Sequence, residues 1–533
     1  MNAPTPLGRF CLVVFGLLGS AACGQAQVAD PALESITEAE LRDHIFFLAS
    51  DLLEGRDAGT PGYQLAAEYA AVHLGQAGLE AMYSDSSGAP SYFQQIQFAT
   101  STLSDETSLG FTVGNENRPL RRGEDYVIQE FLASGADRNA VETPVFLGYG
   151  IEEPDLGWND YEGLDAKGKM GVMIVGAPVR NGDPVLPAEQ DELYRGLQQS
   201  ANARFQAAMN HGVTTLIVIL DAGSAGLWEL IKSQASAPSI RPMVDTPDPD
   251  APAPAFSELV LMKPEAAGGL LAGIDVNLHT GEGEYTTGPM EGIQISLETR
   301  HDVDPGYSSP NVVGLLPGTD SVLKDEYIVV TAHLDHVGVR NGEVFNGADD
   351  NASGSAAVLE AAEAAAMSPG KRSMLFVLLT AEEKGLLGSM AFANNPPVPA
   401  DQIVLNINLD MVGRNSPDFP DVLLAMGSEN GRAGLLDMIR SVNDSGINAP
   451  LDWRLNEGPD PHNHVQRSDQ MSFMQKGIPA ILITRGFMGP DYHEPTDVPA
   501  TINYEKVFHA TRLTFGIASE AANRDVLSFR SGG

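Results

Sequence analysis

Residues Tyr327–Glu383 read YIVVTAHLDHVGVRNGEVFNGADDNASGSAAVLEAAEAAAMSPGKRSMLFVLLTAEE. Two short apolar runs in this stretch, Tyr327–Thr331 and Met374–Thr380, are rich in β-branched residues or leucine, which is typical of strands buried on both faces of a parallel sheet. Between them, an alanine-rich segment predicts a helix over Ser353–Met367, and the Ser-Pro-Gly sequence that begins at residue 368 ends it. The stretch therefore predicts a strand–loop–helix–strand unit, as found in α/β folds.

Side chains that can bind metal ions lie at the ends of the predicted strands, where open α/β sheets bind their ligands. Two further apolar runs, Ile403–Leu409 and Ala480–Thr484, predict strands of the same buried kind. Ligand-type residues end or follow each of these four strands, and one more lies in the acidic loop between the first two. They are His333, Asp350, Glu382, Glu383, Asp410 and His493.

This set of side chains indicates a hydrolytic metal centre. Nitrogen and oxygen ligands without sulfur suit zinc, and cobalt or manganese are alternatives. Two imidazoles and three carboxylates are more ligands than one open catalytic zinc needs, but they suit two metals bridged by one carboxylate. Glu382 and Glu383 are neighbours on an extended segment, so one can bind metal while the other acts as a base. Such a site would hydrolyse an amide or an ester.

Length and charge narrow the class of protein. At 533 residues the chain is long enough for two domains. Its formal net charge of −39 disfavours nucleic acids and anionic membrane surfaces as partners. Beyond the N-terminal segment, no apolar stretch of the sequence is long enough to predict a transmembrane span.

The N-terminus predicts export. Arg9, an apolar run over Phe10–Leu18 and the small residues that follow are typical of a signal peptide, which we place at residues 1–26. We therefore expect a secreted or periplasmic protein, with Cys23 as a candidate lipidation site. Cys11 and Cys23 are the only cysteines, so the mature protein is expected to contain no disulfide bond and no cysteine metal ligand.

The pattern of elements predicts two domains, one inserted into the other. The catalytic domain is expected to be α/β, with a mixed, mostly parallel sheet flanked by helices, and to consist of residues 27–125 and 289–533. Residues 126–288 alternate short strands with one helix and contain no cluster of catalytic groups, which predicts a separate β-rich insert.

At its ligand-type residues the sequence resembles the M28 family of zinc aminopeptidases. The motifs that carry the resemblance occur in the family's order and are His333–Leu334–Asp335, Gly347–Gly354, Glu382–Ser389, Asn408–Met411, Ser468–Asp469 and Tyr492–His493. The insert resembles a protease-associated domain, through Gly148–Gly150 and Asp165–Lys169 among other segments. The resemblance implies a zinc-exopeptidase fold of the phosphorylase/hydrolase-like type and a metallo-exopeptidase that removes N-terminal residues from peptides.

The resemblance also implies a role for each site residue. Two zinc ions per chain would be bound by His333, Asp350, Glu383, Asp410 and His493. Asp350 would bridge the two ions, and Glu382 would be the general base and later the proton donor to the leaving amine. Asp335 would hold His333 in the required tautomer, and Tyr492 would hydrogen-bond the oxyanion of the tetrahedral intermediate.

Three other functions remain open on the sequence. A carboxypeptidase of the same fold would need arginines in its pocket, and a glutaminyl cyclase of the same fold would need one zinc. A non-catalytic binding module built around the insert is disfavoured by the complete ligand set. The preferred N-terminal residue and the oligomeric state cannot be read from these motifs.

Overall fold

The computed structural model describes residues 30–130, 137–221, 224, 226–235, 239–243, 258–278, 280–429, 431–458, 460, 464–486, 489 and 491–530. The predicted signal peptide, with Cys23, lies outside these residues. Within the described part of the chain, no helix combines the length and the apolarity needed to cross a bilayer.

A ten-stranded mixed sheet forms the centre of the larger unit. In spatial order its strands are Ser239–Pro242, Phe93–Leu103, His301–Leu316, Ser373–Leu379, Tyr327–His333, Ile403–Leu409, Ala480–Thr484, Leu423–Gly427 and Leu451–Asp452, and Glu80–Ala81 also pairs with His301–Leu316. The four neighbouring strands from Ser373–Leu379 to Ala480–Thr484 are parallel, and the outer pairings are antiparallel except at the last strand. The predicted mixed α/β class is therefore confirmed.

Helices bury both faces of the central strands, which explains why these strands are apolar without interruption. In the strand Tyr327–His333, Ile328 and Val330 belong to the core on one side of the sheet, whereas Val329 belongs to the core on the other. The α-helices of the described residues are Pro31–Ser35, Glu38–Leu48, Pro61–Gln76, Ala188–Arg195, Leu197–Asn210, Trp228–Ala235, Gly354–Met367, Leu387–Asn394, Arg432–Val442, Arg454–Glu457, Gln470–Met474 and Tyr504–Asn523.

A second group of strands has its own apolar core. A six-stranded sheet contains Gly288–Pro289, Val145–Phe146, Met170–Ile174, Thr215–Ile219, Glu258–Met262 and Tyr126–Glu130. A four-stranded sheet contains Glu116–Leu120, Ser108–Val113, Ile293–Thr299 and Arg138–Glu142. One apolar cluster joins the two sheets, because Phe111 and Ile295 of the smaller sheet share it with Val172 and Ile217 of the larger.

Short two-stranded pairings complete the structure. They join Tyr83–Ser84 to Pro90–Ser91, Glu152–Glu153 to Trp158–Asn159, Val179–Arg180 to Asp183–Pro184, Asp275–Val276 to Gly283–Glu284, and Val339–Arg340 to Glu343–Val344. The domain boundaries at residues 126 and 288 and the likeness of the insert to a protease-associated domain stay predictions.

Candidate metal centre

The ligand-type side chains meet at one edge of the central sheet. His333 ends its strand and Asp410 directly follows the strand Ile403–Leu409, so parallel neighbours bring the two residues to the same edge. Glu382 and Glu383 come shortly after the strand Ser373–Leu379. Asp350 lies in the loop that leads into the helix Gly354–Met367, and His493 lies in the loop after Ala480–Thr484.

The first group of potential ligands surrounds His333, which is almost completely buried. Its Nε2 atom lies 3.3 Å from Oδ1 of Asp410 and 3.4 Å from Oδ1 of Asp350. Ligands about 2.0–2.1 Å from a tetrahedral zinc ion lie about 3.3 Å from one another, so these separations fit one shared ion. The same Nε2 atom lies 4.0 Å from Oε2 of Glu382.

The second group surrounds His493. Its Nε2 atom lies 2.9 Å from Oε2 of Glu383 and 3.2 Å from Oδ2 of Asp350. That nitrogen has no hydrogen bond of acceptable geometry to any described residue, although two carboxylate oxygens are within reach. A short approach without hydrogen-bond alignment is expected when several ligand atoms point toward a common centre.

Asp350 contributes one carboxylate oxygen to each group. Its Oδ1 atom faces His333 and its Oδ2 atom faces His493. The backbone that presents it is fixed by Asp497, whose carboxylate accepts the N–H groups of Asp349 and Asp350 at 2.9–3.0 Å. A cis peptide bond joins Asp350 to Asn351. Asp350 therefore presents one carboxylate oxygen to each of the two groups.

The predicted partner of His333 contacts it through the main chain. Nδ1 of His333 lies 3.1 Å from the carbonyl oxygen of Asp335 and 3.9 Å from its carboxylate. A carbonyl oxygen can only accept, so Nδ1 carries the proton and Nε2 presents its lone pair to the site. The Asp335 carboxylate accepts the backbone N–H groups of Glu382 and Glu383 at 3.1 and 3.3 Å. Asp335 therefore joins the His333 strand to the two glutamates.

Burial and neighbouring charges set the protonation of the site. Burial, together with the carboxylates of Asp410, Asp469 and Glu383, raises the pKa of Glu382 well above its ordinary value. Burial acts in the same direction on Glu383, but the contacts with His336 and His493 outweigh it and hold the pKa of Glu383 below its ordinary value. The site gathers several carboxylates away from water, and bound cations would offset that charge.

Tyr492 lies beside the second group. Its ring stacks on the imidazole of His493, with centroids 4.0 Å apart, and burial raises the pKa of its hydroxyl. Tyr492 also packs against an apolar cluster that contains Met411 and Phe419. The structure thus brings all eight residues that the sequence selected to one edge of the sheet, whereas their chemical roles stay predictions.

The sequence reasoning missed two supporting residues. His336 is buried, and its Nδ1 atom lies 2.8 Å from Oε1 of Glu383. Arg56 is completely buried, and its guanidinium donates to four backbone carbonyls, those of Leu48, Leu334, Asn346 and Gly347. For His336 a signal existed, because it lies three residues after His333, but no periodicity in a loop tells where such a side chain points. For Arg56 the sequence carries no comparable signal.

Part of this chain is similar to known peptidases. Residues 311–518 match the model of Peptidase family M28. A probable leucine aminopeptidase of Arthroderma otae is 24% identical over 251 residues, which cover 45% of this chain and 66% of that protein. Leupeptin-inactivating enzyme 1 of Streptomyces exfoliatus is 30% identical over 217 residues, which cover 39% of this chain and 42% of that protein.

The chain therefore covers just under two thirds of the length of the leucine aminopeptidase, and less of the second relative. Among solved structures, an aminopeptidase from Aneurinibacillus sp. strain AM-1 aligns over 94% of this chain and 97% of its own, with 20% identity and a TM-score of 0.48. Residues 311–518 of this chain are thus similar to peptidase family M28.

Proposed function

We propose that this protein is a two-zinc aminopeptidase that removes N-terminal residues from peptides. The observation that carries the proposal is the position of Asp350, whose two carboxylate oxygens face two different groups of ligand-type side chains. One group contains His333, Glu382 and Asp410, and the other contains His336, Glu383 and His493 together with Asp350 itself. A carboxylate shared between two such groups is the arrangement expected of a two-metal hydrolase.

The donor atoms fit zinc. Imidazole nitrogens and carboxylate oxygens are its usual ligands where cysteine is absent. Zinc held there would act as a Lewis acid and would make a water molecule more acidic. Within this site, Glu382 lies farther from His333 than either Asp350 or Asp410 does. That distance favours a role in proton transfer over a role as a metal ligand.

Glu382 is therefore proposed to accept the proton of the attacking water and to pass it to the leaving amine. Asp335 fixes the backbone of Glu382 by accepting its N–H group, and it holds His333 through its own carbonyl oxygen. Tyr492 is proposed to donate its hydroxyl proton in a hydrogen bond to the oxyanion. The raised pKa of Tyr492 keeps that hydroxyl protonated.

Two observations favour an aminopeptidase over the related alternatives. Two of the curated relatives with matching sequence are named probable leucine aminopeptidases. Arg485, which reaches the loop of the site, already donates to Asp349 at 2.7 Å instead of pointing at a substrate carboxylate. A carboxypeptidase would need a free cation for that group. For the glutaminyl cyclase we find no supporting contact in the described residues.

We also propose that residues 1–26 export the protein to the periplasm or the medium, with Cys23 as a candidate lipidation site. Residues 126–288 are proposed to include most of an inserted protease-associated domain. Mass measurement of the exported protein tests the first point, because it distinguishes cleavage without a lipid from an acylated Cys23.

A panel of substrates tests the proposed activity. Zinc-loaded protein should release p-nitroaniline from leucyl-p-nitroanilide, and it should leave the N-acetylated substrate intact. A protein with a carboxypeptidase function would instead cleave a peptide with a blocked N-terminus and a free C-terminus. Conversion of N-terminal glutamine to pyroglutamate, without release of any amino acid, would contradict the proposal and support the cyclase.

A further inference from the structure

His336 is held rigidly beside the second ligand group. Its side chain is buried, and its backbone N–H donates to the carbonyl oxygen of Arg56 at 3.2 Å. Its ring lies against Gly347, where an added Cβ atom would come within 2.5 Å of the imidazole Cγ. Gly347 also has a φ of 60°, in the left-handed region that favours glycine. The surroundings therefore leave the imidazole in one position.

The hydrogen bond of His336 goes to Glu383. Nδ1 lies 2.8 Å from Oε1 of Glu383, and because a carboxylate can only accept, Nδ1 is the protonated nitrogen. The other carboxylate oxygen, Oε2, lies 2.9 Å from Nε2 of His493. The carboxylate of Glu383 is thus placed between two imidazoles, with one oxygen for each.

The distances to Asp350 separate the roles of the two imidazoles. Nε2 of His493 lies 3.2 Å from Oδ2 of Asp350, close to the separation of about 3.3 Å expected for two ligands of one tetrahedral zinc ion. Nδ1 of His336 lies 3.8 Å from the same oxygen, which is longer than that separation. His336 is close enough to the other three side chains to share an ion with them. Its longer distance to Asp350 and its hydrogen bond to Oε1 of Glu383 favour a place behind Glu383 instead.

We propose that His336 is a positioning residue for the second metal site, acting through Glu383. By donating to Oε1, it fixes the rotation of the carboxylate so that Oε2 faces the same point as His493 and Asp350. This inference rests on the proposed two-zinc function. Substitution of a residue that hydrogen-bonds to a metal ligand typically lowers metal affinity by about 10–100-fold.

The test compares three substitutions of His336, two of them amides of similar polarity. His336→Asn keeps an N–H donor near the position of Nδ1, whereas His336→Gln places its amide beyond that position, and His336→Leu removes the donor. Zinc affinity is measured on the folded protein by competition with a chromogenic chelator. His336→Leu and His336→Gln should lower the affinity for one of the two zinc ions by about 10–100-fold. His336→Asn should keep most of the wild-type affinity.

A control substitution and three outcomes decide the inference. His211→Leu removes an imidazole that stacks on Tyr161 and contacts Glu152, far along the chain from the site, and it should leave both zinc affinities unchanged. If His336→Gln and His336→Leu both bind two zinc ions as tightly as the wild type, His336 has only a packing role. If His336→Asn loses one zinc as completely as His336→Leu, His336 is itself a ligand. A wild-type protein that binds no zinc would overturn the proposed function, and with it the role of His336.

Discussion

Replacing Glu382 by glutamine separates proton transfer from metal binding. Glutamine keeps the size of the side chain and can still form hydrogen bonds, but its amide cannot take a proton from water. In the structure, Oε2 of Glu382 is 4.0 Å from Nε2 of His333. The oxygens of Glu383, in contrast, lie 2.8 and 2.9 Å from the imidazoles of His336 and His493. The two neighbouring glutamates are therefore expected to respond differently to the same substitution.

The expected size of the effect follows from what a general base usually contributes to the rate. General-base catalysis contributes about 10²–10⁴-fold to rate, which corresponds to about 3–5 kcal/mol of transition-state stabilisation. Glu382→Gln should reduce kcat by that factor. Its metal content should equal that of the wild type, because 4.0 Å exceeds the separation of about 3.3 Å expected between ligands of one zinc ion.

Steady-state kinetics on leucyl-p-nitroanilide and elemental analysis of the dialysed protein measure both quantities. Glu383→Gln is the matched control: it should lose one zinc on dialysis, and its activity should partly return with excess zinc. Near-normal turnover of Glu382→Gln would refute the assignment of the base. Loss of zinc by Glu382→Gln to the same extent as by Glu383→Gln would refute the division of roles between the two glutamates.

Two further predictions concern the framework of the site. Arg56→Met leaves four buried carbonyl groups without their donor. Each unsatisfied carbonyl costs about 1–3 kcal/mol, so the free energy of unfolding, measured in urea, should fall by at least about 4 kcal/mol. Arg440→Met, which removes an exposed surface pair, should cost about 1 kcal/mol or less, and an equal loss for both would contradict the role of Arg56. Removing residues 104–300 should preserve zinc binding, because the flanking residues Leu103 and His301 are paired neighbours in the central sheet. Removing only residues 126–288 should yield aggregated protein, because the apolar residues of 109–111 and 293–297 would lose the residues they pack against. Equal solubility of the two shortened proteins would contradict the existence of a second apolar core that includes these residues.

The central strands and the helix between them could be predicted from the sequence. The strands are uninterrupted apolar runs, and the helix is a long alanine-rich segment. The strands Ile403–Leu409 and Ala480–Thr484 occur with the predicted bounds, and the predicted helix from Ser353 begins at Gly354. The strand Leu423–Gly427 was missed. Its residues are buried like those of its neighbours, but the segment is short and a helix follows it closely.

The long strand His301–Leu316 shows a different limit of sequence reasoning. Residues 302–306 of this strand are exposed and include polar residues, proline and glycine, so they lack the apolar pattern that predicts a strand. The backbone pairing with Phe93–Leu103 extends this strand well beyond its apolar part. Hydrogen bonds to a partner distant in sequence determine such a segment, and no local pattern contains that information.

For the site, the sequence identified residue types at strand ends, since parallel strands place their carboxyl ends together. It could not identify how loops arrange the supporting groups. The carbonyl oxygen of Asp335, and not its carboxylate, lies closest to Nδ1 of His333. Asp497 supports the backbone at Asp350 from a loop more than a hundred residues away. Such contacts depend on tertiary packing.

The number of zinc ions bound per chain tests the central claim most directly, since the claim is that Asp350 serves two ligand groups. Metal-free protein is titrated with zinc and, after removal of free metal, the bound zinc is counted for the wild type and for Asp350→Ala. We predict two equivalents for the wild type. We also predict a loss of affinity at both sites for Asp350→Ala, because each site loses one oxygen ligand. Saturation of the wild type at one equivalent, or loss of only one ion in Asp350→Ala, would contradict the account.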